Sequence, residues 1–224
     1  MMKMKKKFKL LVLPIIAIFL IAFVFLFHAN AANAPSFPGL DPDVYKLASE
    51  AYHCAKAQGE VKKPILTIVD FSKPSFMKRL WVIDMQDNEL LFHLHVAQGK
   101  GSGLFYATHF SNAPGSDASS LGTFLTLDAY KGKHGESLRV QGLEKGINND
   151  ALERDIVFHP AWYVTPQFIA KYGRAGRSWG CFAVNAKYST DLIDTIKDGS
   201  VVFAYAKPEQ ADPNLKSCNF IFAK

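Results

Sequence analysis

Apolar positions along the chain change period as it proceeds. Between residues 41 and 59 they recur at helical spacing, with Val44, Leu47, Ala51 and Cys54 on one face. Asp41 suits the N-cap, Pro42 the first turn and Gly59 the stop, so a helix with Cys54 turned to the core is predicted. From residue 65 the pattern is that of strands. Residues 65–71, 79–85 and 89–96 are rich in Ile, Val, Leu, Phe and Trp, and Gln86-Asp87-Asn88 between the last two predicts a hairpin. Residues 98–120 turn to Gly, Ser, Asn and Pro, which predicts a long loop of the lid or binding kind. Strands resume at 123–129, 137–141 and 155–159. Two short helices follow, 166–172 between Thr165 and Gly173 and 186–197 before Gly199, and residues 201–206 form a last strand. Local hairpin spacing with few short helices predicts a mainly β fold of the α+β class. An antiparallel or mixed sheet, built as a sandwich or barrel, fits better than a doubly wound sheet.

The uncharged run of residues 10–27 stands apart from this pattern. Lys3, Lys5, Lys6, Lys7 and Lys9 precede it and His28-Ala29-Asn30-Ala31-Ala32 follows it. That is the three-part plan of an export signal, with cleavage after Ala31. At 18 residues the run also approaches the ~20 needed to span a bilayer, so an uncleaved membrane anchor through 10–27 is the alternative. Either way a domain at 32–207 and a tail at 208–224 work outside the cytoplasm. The formal charge of +6 first suggests a polyanionic partner, but removing the five N-terminal lysines leaves +1. Nucleic-acid binding is therefore not expected. No Gly-rich phosphate loop follows a strand, and no nucleotide cofactor is expected.

Export changes the reading of the three cysteines, which cannot all pair within one chain. Cys54 and Cys218 either form a bridge tying the tail to the first helix or remain small buried hydrophobes. Cys181 is the odd thiol. It stands in Ser178-Trp179-Gly180-Cys181, after the basic stretch Gly173-Arg174-Ala175-Gly176-Arg177 and downstream of His159 at the end of an apolar strand. A thiolate nucleophile needs a base or cation beside it, and a protonated imidazole can then donate to a leaving amine. Cys181 and His159 offer both roles. Amides around Gly180 and Cys181 are candidates to face a developing oxyanion. Arg174 and Arg177 add positive potential for a carboxylate-bearing substrate, and the Ser178 hydroxyl reads as support for the loop. A zinc hydrolase would instead draw on His93 and His95 with His109 or His134, but His-x-His without a placed carboxylate reads more simply as a polar strand face, and no metal is expected. Papain-like enzymes place Cys before His, the reverse of this order. Sortase-type enzymes use an Arg downstream of the Cys, and none follows Cys181. Trp81, Trp162, Tyr163 and Phe168 are expected in the core or in groove walls.

At these residues the chain resembles the L,D-transpeptidases, exported cysteine enzymes that remodel bacterial peptidoglycan. Their signature is a strand-end His followed by Ser/Thr-x-Gly-Cys. One branch reads Gly-Arg-Ser-Trp-Gly-Cys-x-Ala-Val, matched here by Gly176-Arg177-Ser178-Trp179-Gly180-Cys181-Phe182-Ala183-Val184. The resemblance runs over most of 41–206, including Lys63-Pro64-Ile65-Leu66-Thr67 and Gly142-Leu143-Glu144-Lys145-Gly146. Two departures stand out. The family's His-Gly is His159-Pro160, and its His and Arg flanking Gly-Cys are Trp179 and Ala183, so the substrate contacts of those family residues do not transfer.

The resemblance implies a β-sandwich-like or barrel-like catalytic domain without metal or cofactor. It also implies a backbone carbonyl, here that of Pro160, orienting the His159 ring. The implied partners are peptidoglycan stem peptides in a bacterial periplasm or cell wall. Cys181 would form a thioester with a tetrapeptide stem, with Trp179, Arg174 and Arg177 as candidate substrate contacts. Transfer to a second stem makes a cross-link, and transfer to water makes an L,D-carboxypeptidase. Release of a wall-attached protein uses the same site, and a wall-binding module without turnover is the non-enzymatic alternative. An enzyme needs a Cys181 thiol that ionises near neutral pH, whereas a binding module does not.

Overall fold

The computed structural model describes residues 35–207 and 217–222. The expected export segment, 1–31, and residues 208–216 of the tail lie outside the described residues. The chain divides into two compact units, 1–37 and 38–224, and the second is described here.

Helix α1 (Pro42–Ala57) starts where expected, with the Asp41 side chain accepting from the Asp43 amide at 2.8 Å. Its buried face comprises Val44, Ala48, Ala51, Tyr52, Cys54 and Ala55, whereas Leu47, expected on that face, is only half-buried. Cys54 is joined to Cys218 by a disulfide, with the two Cα atoms 5.2 Å apart. Strand β1 (Ile65–Asp70) is buried along its whole length, as its continuous apolar run requires of a central strand. It pairs antiparallel with β2 (Leu80–Asp84) and parallel with β9 (Val201–Tyr205). The hairpin from β2 to β3 (Glu89–Leu94) turns through Asn88, which takes the left-handed conformation at φ 55°.

Residues 89–96, read above as one strand, are two. After β3 the chain breaks at His95, and β4 (Val96–Ala97) joins the opposite edge of the sheet, against β8 (Phe182–Asn185). Composition registers neither the break nor β8, whose four residues are too few for a period to show. The remaining strands are β5 (Gly122–Gly132), β6 (Gly135–Gly142) and β7 (Val157–Ala161). Together they form a nine-stranded mixed sheet in the order β3-β2-β1-β9-β5-β6-β7-β8-β4. Its two edge strands are consecutive in sequence and one residue apart, so the sheet curls almost into a barrel. The fold is mainly β, with α2 (Pro166–Tyr172) and α3 (Ala186–Ile196) completing three helices among the described residues.

Arg79 fastens the seam. Fully buried, it donates through Nε and Nη2 to the Val96 carbonyl (3.1 and 3.0 Å), through Nη1 to the Lys73 carbonyl (2.8 Å) and through Nη2 to the Gln98 side chain. Burial pushes its pKa down to about 9 against the opposing charge of Asp70. Helix α3 turns Ser189, Leu192, Ile193 and Ile196 inward at i, i+3, i+4 and i+7 spacing. Leu192, Ile193 and Ile196 join Phe71, Phe124, Phe158 and Phe182 in one core. That core holds β7 and β8 rigid.

Candidate active site

Strands β7 and β8 run parallel, with Phe158 opposite Phe182 and His159 opposite Ala183. The two phenylalanines stack in the core with ring centroids 4.7 Å apart. Because successive strand residues face opposite sides, this apolar anchor turns His159 and Ala183 to the other face. Cys181 is the residue before β8, two before Ala183.

The His159 ring is buried, and its Nδ1 lies 2.9 Å from the Pro160 carbonyl oxygen. A carbonyl only accepts, so Nδ1 carries the proton and Nε2 keeps its lone pair. Burial pushes the His159 pKa below 6.5, the Pro160 bond opposes that, and the nearby His134 lowers it further. His134 stacks on His159 at 4.7 Å between centroids. It was considered above only as a zinc ligand, and only the β5–β6 hairpin register brings it here, which no local pattern announces. A pocket of about 240 Å³ beside the pair is lined by His134, Pro160, Ala161, Trp162, Tyr163 and Ala186.

Cys181 is half-buried and free, and its thiol donates to the Asp155 carbonyl at 3.4 Å. Burial pushes the thiol pKa up. The Val157 amide opposes that, Asp155 adds to it, and Arg154 and the Cys181 amide pull the pKa back down. The net direction is upward, away from the thiol ionising near neutral pH that is expected of an enzyme. Before Cys181 the chain turns at Gly180, φ +122°, where a Cβ would lie 2.7 Å from Ile156 Cδ1 and 2.9 Å from the Ala118 carbonyl oxygen. Only glycine fits this corner.

Ser178 holds the corner closed. Its hydroxyl donates to the Cys181 carbonyl (2.7 Å) and accepts from the Gly180 amide (3.2 Å). The Gly180 amide, considered above for an oxyanion, is thus engaged with Ser178. The 98–120 loop packs against the residues before Cys181. Lys100 donates its amide to the Ser178 carbonyl (2.8 Å), and Ser119 donates its hydroxyl to the Gly180 carbonyl (3.3 Å).

Of the candidate substrate contacts, Trp179 is 74% exposed with Lys100 Nζ 4.9 Å from its ring centroid. Arg177 is exposed and reaches the Lys100 carbonyl at 3.4 Å, while Arg174 folds back on the Ala175 carbonyl at 2.9 Å. Trp162, expected in the core or a groove wall, is 74% exposed on the turn after β7, where Phe168 and Tyr163 contact it edge-on. His93 and His95 do not converge on a common point: each turns Nε2 to a backbone carbonyl, of Lys78 (3.4 Å) and Phe76 (3.1 Å) respectively. Among the described residues no group of three His, Cys, Asp or Glu is placed to hold a metal ion.

Three segments of the chain carry charge of one sign, while Arg154 and Asp155 adjoin Cys181. Residues 71–83, 90–116 and 156–190 carry eight lysines and arginines and none of the 20 acidic residues. They also carry nine of the 11 exposed large hydrophobic residues among the described residues. Asp117, paired with Lys100 at 3.0 Å, and the buried Asp70, paired with Lys73 at 3.8 Å, stand at the margins.

A model of the L,D-transpeptidase catalytic domain matches residues 37–205. The chain belongs to that family. This L,D-transpeptidase domain is also similar to solved structures at low identity. One is an L,D-transpeptidase from Mycobacterium smegmatis, at 15% identity over 64% of this chain and 59% of that one, with a TM-score of 0.39. Another, from Stackebrandtia nassauensis, has 16% identity over 72% and 67% of the two chains and a TM-score of 0.38. A third is the helical cell shape determining protein Pgp2 from Campylobacter jejuni, with 12% identity over 76% and 61% and a TM-score of 0.43. The chain spans 59% of the length of the first of these structures. No curated protein sequence matches it.

Proposed function

We propose that the protein is an exported cysteine acyltransferase acting on the tetrapeptide stems of peptidoglycan, with residues 32–207 as its catalytic domain. The observation that supports this reading is the β7–β8 register, in which Cys181 immediately precedes the strand paired with that of His159, together with the Pro160 carbonyl that accepts from Nδ1. In the first step the Cys181 sulfur attacks the carbonyl carbon of the bond between the third residue of a stem and its terminal D-amino acid. The thiol proton leaves the Asp155 carbonyl for His159 Nε2. The carbon–nitrogen bond then breaks and the imidazolium protonates the departing amine, leaving a thioester. In the second step an acceptor amine attacks, His159 takes its proton, the carbon–sulfur bond breaks, and the imidazolium returns the proton to the departing Cys181 sulfur.

A neutral His159 suits this sequence because only the neutral ring accepts the first proton. The acid-free segments support an anionic substrate, since stem peptides carry free carboxylates and Lys or Arg at short range attracts them. The exposed Trp162 and Trp179 offer faces for an apolar or sugar surface of the polymer. Purified protein incubated with tetrapeptide muropeptides tests the reading. Dimers joined between third-position residues are the expected product. Loss of the terminal residue without dimers identifies a carboxypeptidase, and unchanged muropeptides leave a wall-binding module.

A further inference from the structure

We propose that Arg154 is a positioning residue for Cys181, a cation clamped beside the nucleophile by the 111–120 segment. The inference rests on the Cys181 reading above, because it assigns a residue to that nucleophile. Position 183 holds Ala, so the chain itself supplies no cation from β8. Arg154 comes from the turn before β7, where Glu153-Arg154-Asp155 reads in sequence as an ordinary solvated run.

Its guanidinium is fixed on four sides. Nη1 donates to the Ser111 carbonyl (2.7 Å) and the Ser120 hydroxyl (2.6 Å), and Nη2 to the Ser116 hydroxyl (3.1 Å) and the Ala118 carbonyl (2.8 Å). Nη2 also lies 3.5 Å from where a Cβ of Gly180 would sit, so the charge packs against the residue before the nucleophile. The same turn presents the Asp155 carbonyl that receives the thiol proton. Three titratable groups act on the sulfur: Arg154 and Asp155 from the turn, and Tyr163, which interacts electrostatically with Cys181. Arg154 opposes both the burial of the sulfur and the charge of Asp155; burial lowers the pKa of Arg154 itself, and Asp150 and Cys181 oppose that.

A tether alone stabilises the loop, whereas a positioned charge also changes how readily the thiol ionises. Iodoacetamide alkylation of Cys181 across pH separates the two in the full-length protein, read against Arg154→Gln and Arg154→Lys with thermal melts as a fold control. Below the thiol pKa the rate follows the thiolate fraction, so one pKa unit is about tenfold. Arg154→Gln is expected to slow alkylation at neutral pH about tenfold. Arg154→Lys keeps a charge without the four-point clamp and is expected to slow it about threefold. A wild-type pH profile in either folded variant overturns the proposal, and Arg154→Lys decides alone if the Gln variant does not fold. The readout needs no peptidoglycan. A failed muropeptide assay with an intact Arg154 effect therefore counts against the substrate reading and not against this one.

Discussion

The His134 ring, stacked 4.7 Å from His159, adds its charge to burial in holding the His159 pKa below 6.5. His159 must be neutral to take the Cys181 proton, so a depressed pKa keeps it competent at lower pH, and the acid limb of activity falls below pH 6.5. Replacing His134 with Ala removes one cause of the depression. The His159 pKa then rises, and the limb moves to higher pH. The profile of kcat/KM between about pH 5 and 8 reads this directly, and an unmoved limb removes His134 from the mechanism. Residues of this kind are what the sequence conceals. Cys181 and His159 are legible because an odd thiol, a strand-end histidine and a glycine corner lie close in sequence. His134 and Arg154 reach them only through a hairpin register and a long loop.

At the scale of elements, the site depends on β4 lying against β8, and β4 is held by Arg79. The guanidinium satisfies the buried Val96 carbonyl and the partly buried Lys73 carbonyl. Arg79→Met therefore leaves several acceptors in the seam unpaired and removes one of the two cations, with Lys73, that act on Asp70, at a cost of about 3–5 kcal/mol. Urea unfolding measures it; a loss under about 1 kcal/mol means that the seam does not need the arginine. Helix α1, the β2–β3 hairpin, and α2 and α3 were all legible, because caps and period declare themselves over ten or so residues. The split of β3 from β4 was not. Leu91 to Val96 is continuously apolar apart from two histidines, and nothing in that composition marks the residue at which the chain changes edges of the sheet.

At the scale of the molecule, the disulfide and the charge layout act over long separations. The Cys54–Cys218 bridge closes a loop of 164 residues between α1 and the tail. Reducing it is expected to lower the stability of the domain by about 2–4 kcal/mol. Thermal melts with and without reductant test this, alongside non-reducing mass spectrometry, which should find one free thiol; three free thiols contradict the bridge. The near-neutral charge outside the N-terminal lysines hid a division. The acid-free segments are scattered along the sequence and meet only because β4 pairs with β8 and the Phe105 carbonyl accepts the Ser75 amide. Net charge sums that division away.

The central claim is that Cys181 carries a stem peptide as a thioester. Intact-protein mass spectrometry after brief exposure to a tetrapeptide stem, quenched in acid, tests it most directly. The account predicts an added mass equal to the stem less its terminal residue and less one water's hydrogen and oxygen atoms, mapped by proteolysis to Cys181 and lost on treatment with hydroxylamine. Cys181→Ala should acquire none of it while melting like the parent. A wild-type protein that never gains this mass, or a Cys181→Ala variant that still converts stems, contradicts the account.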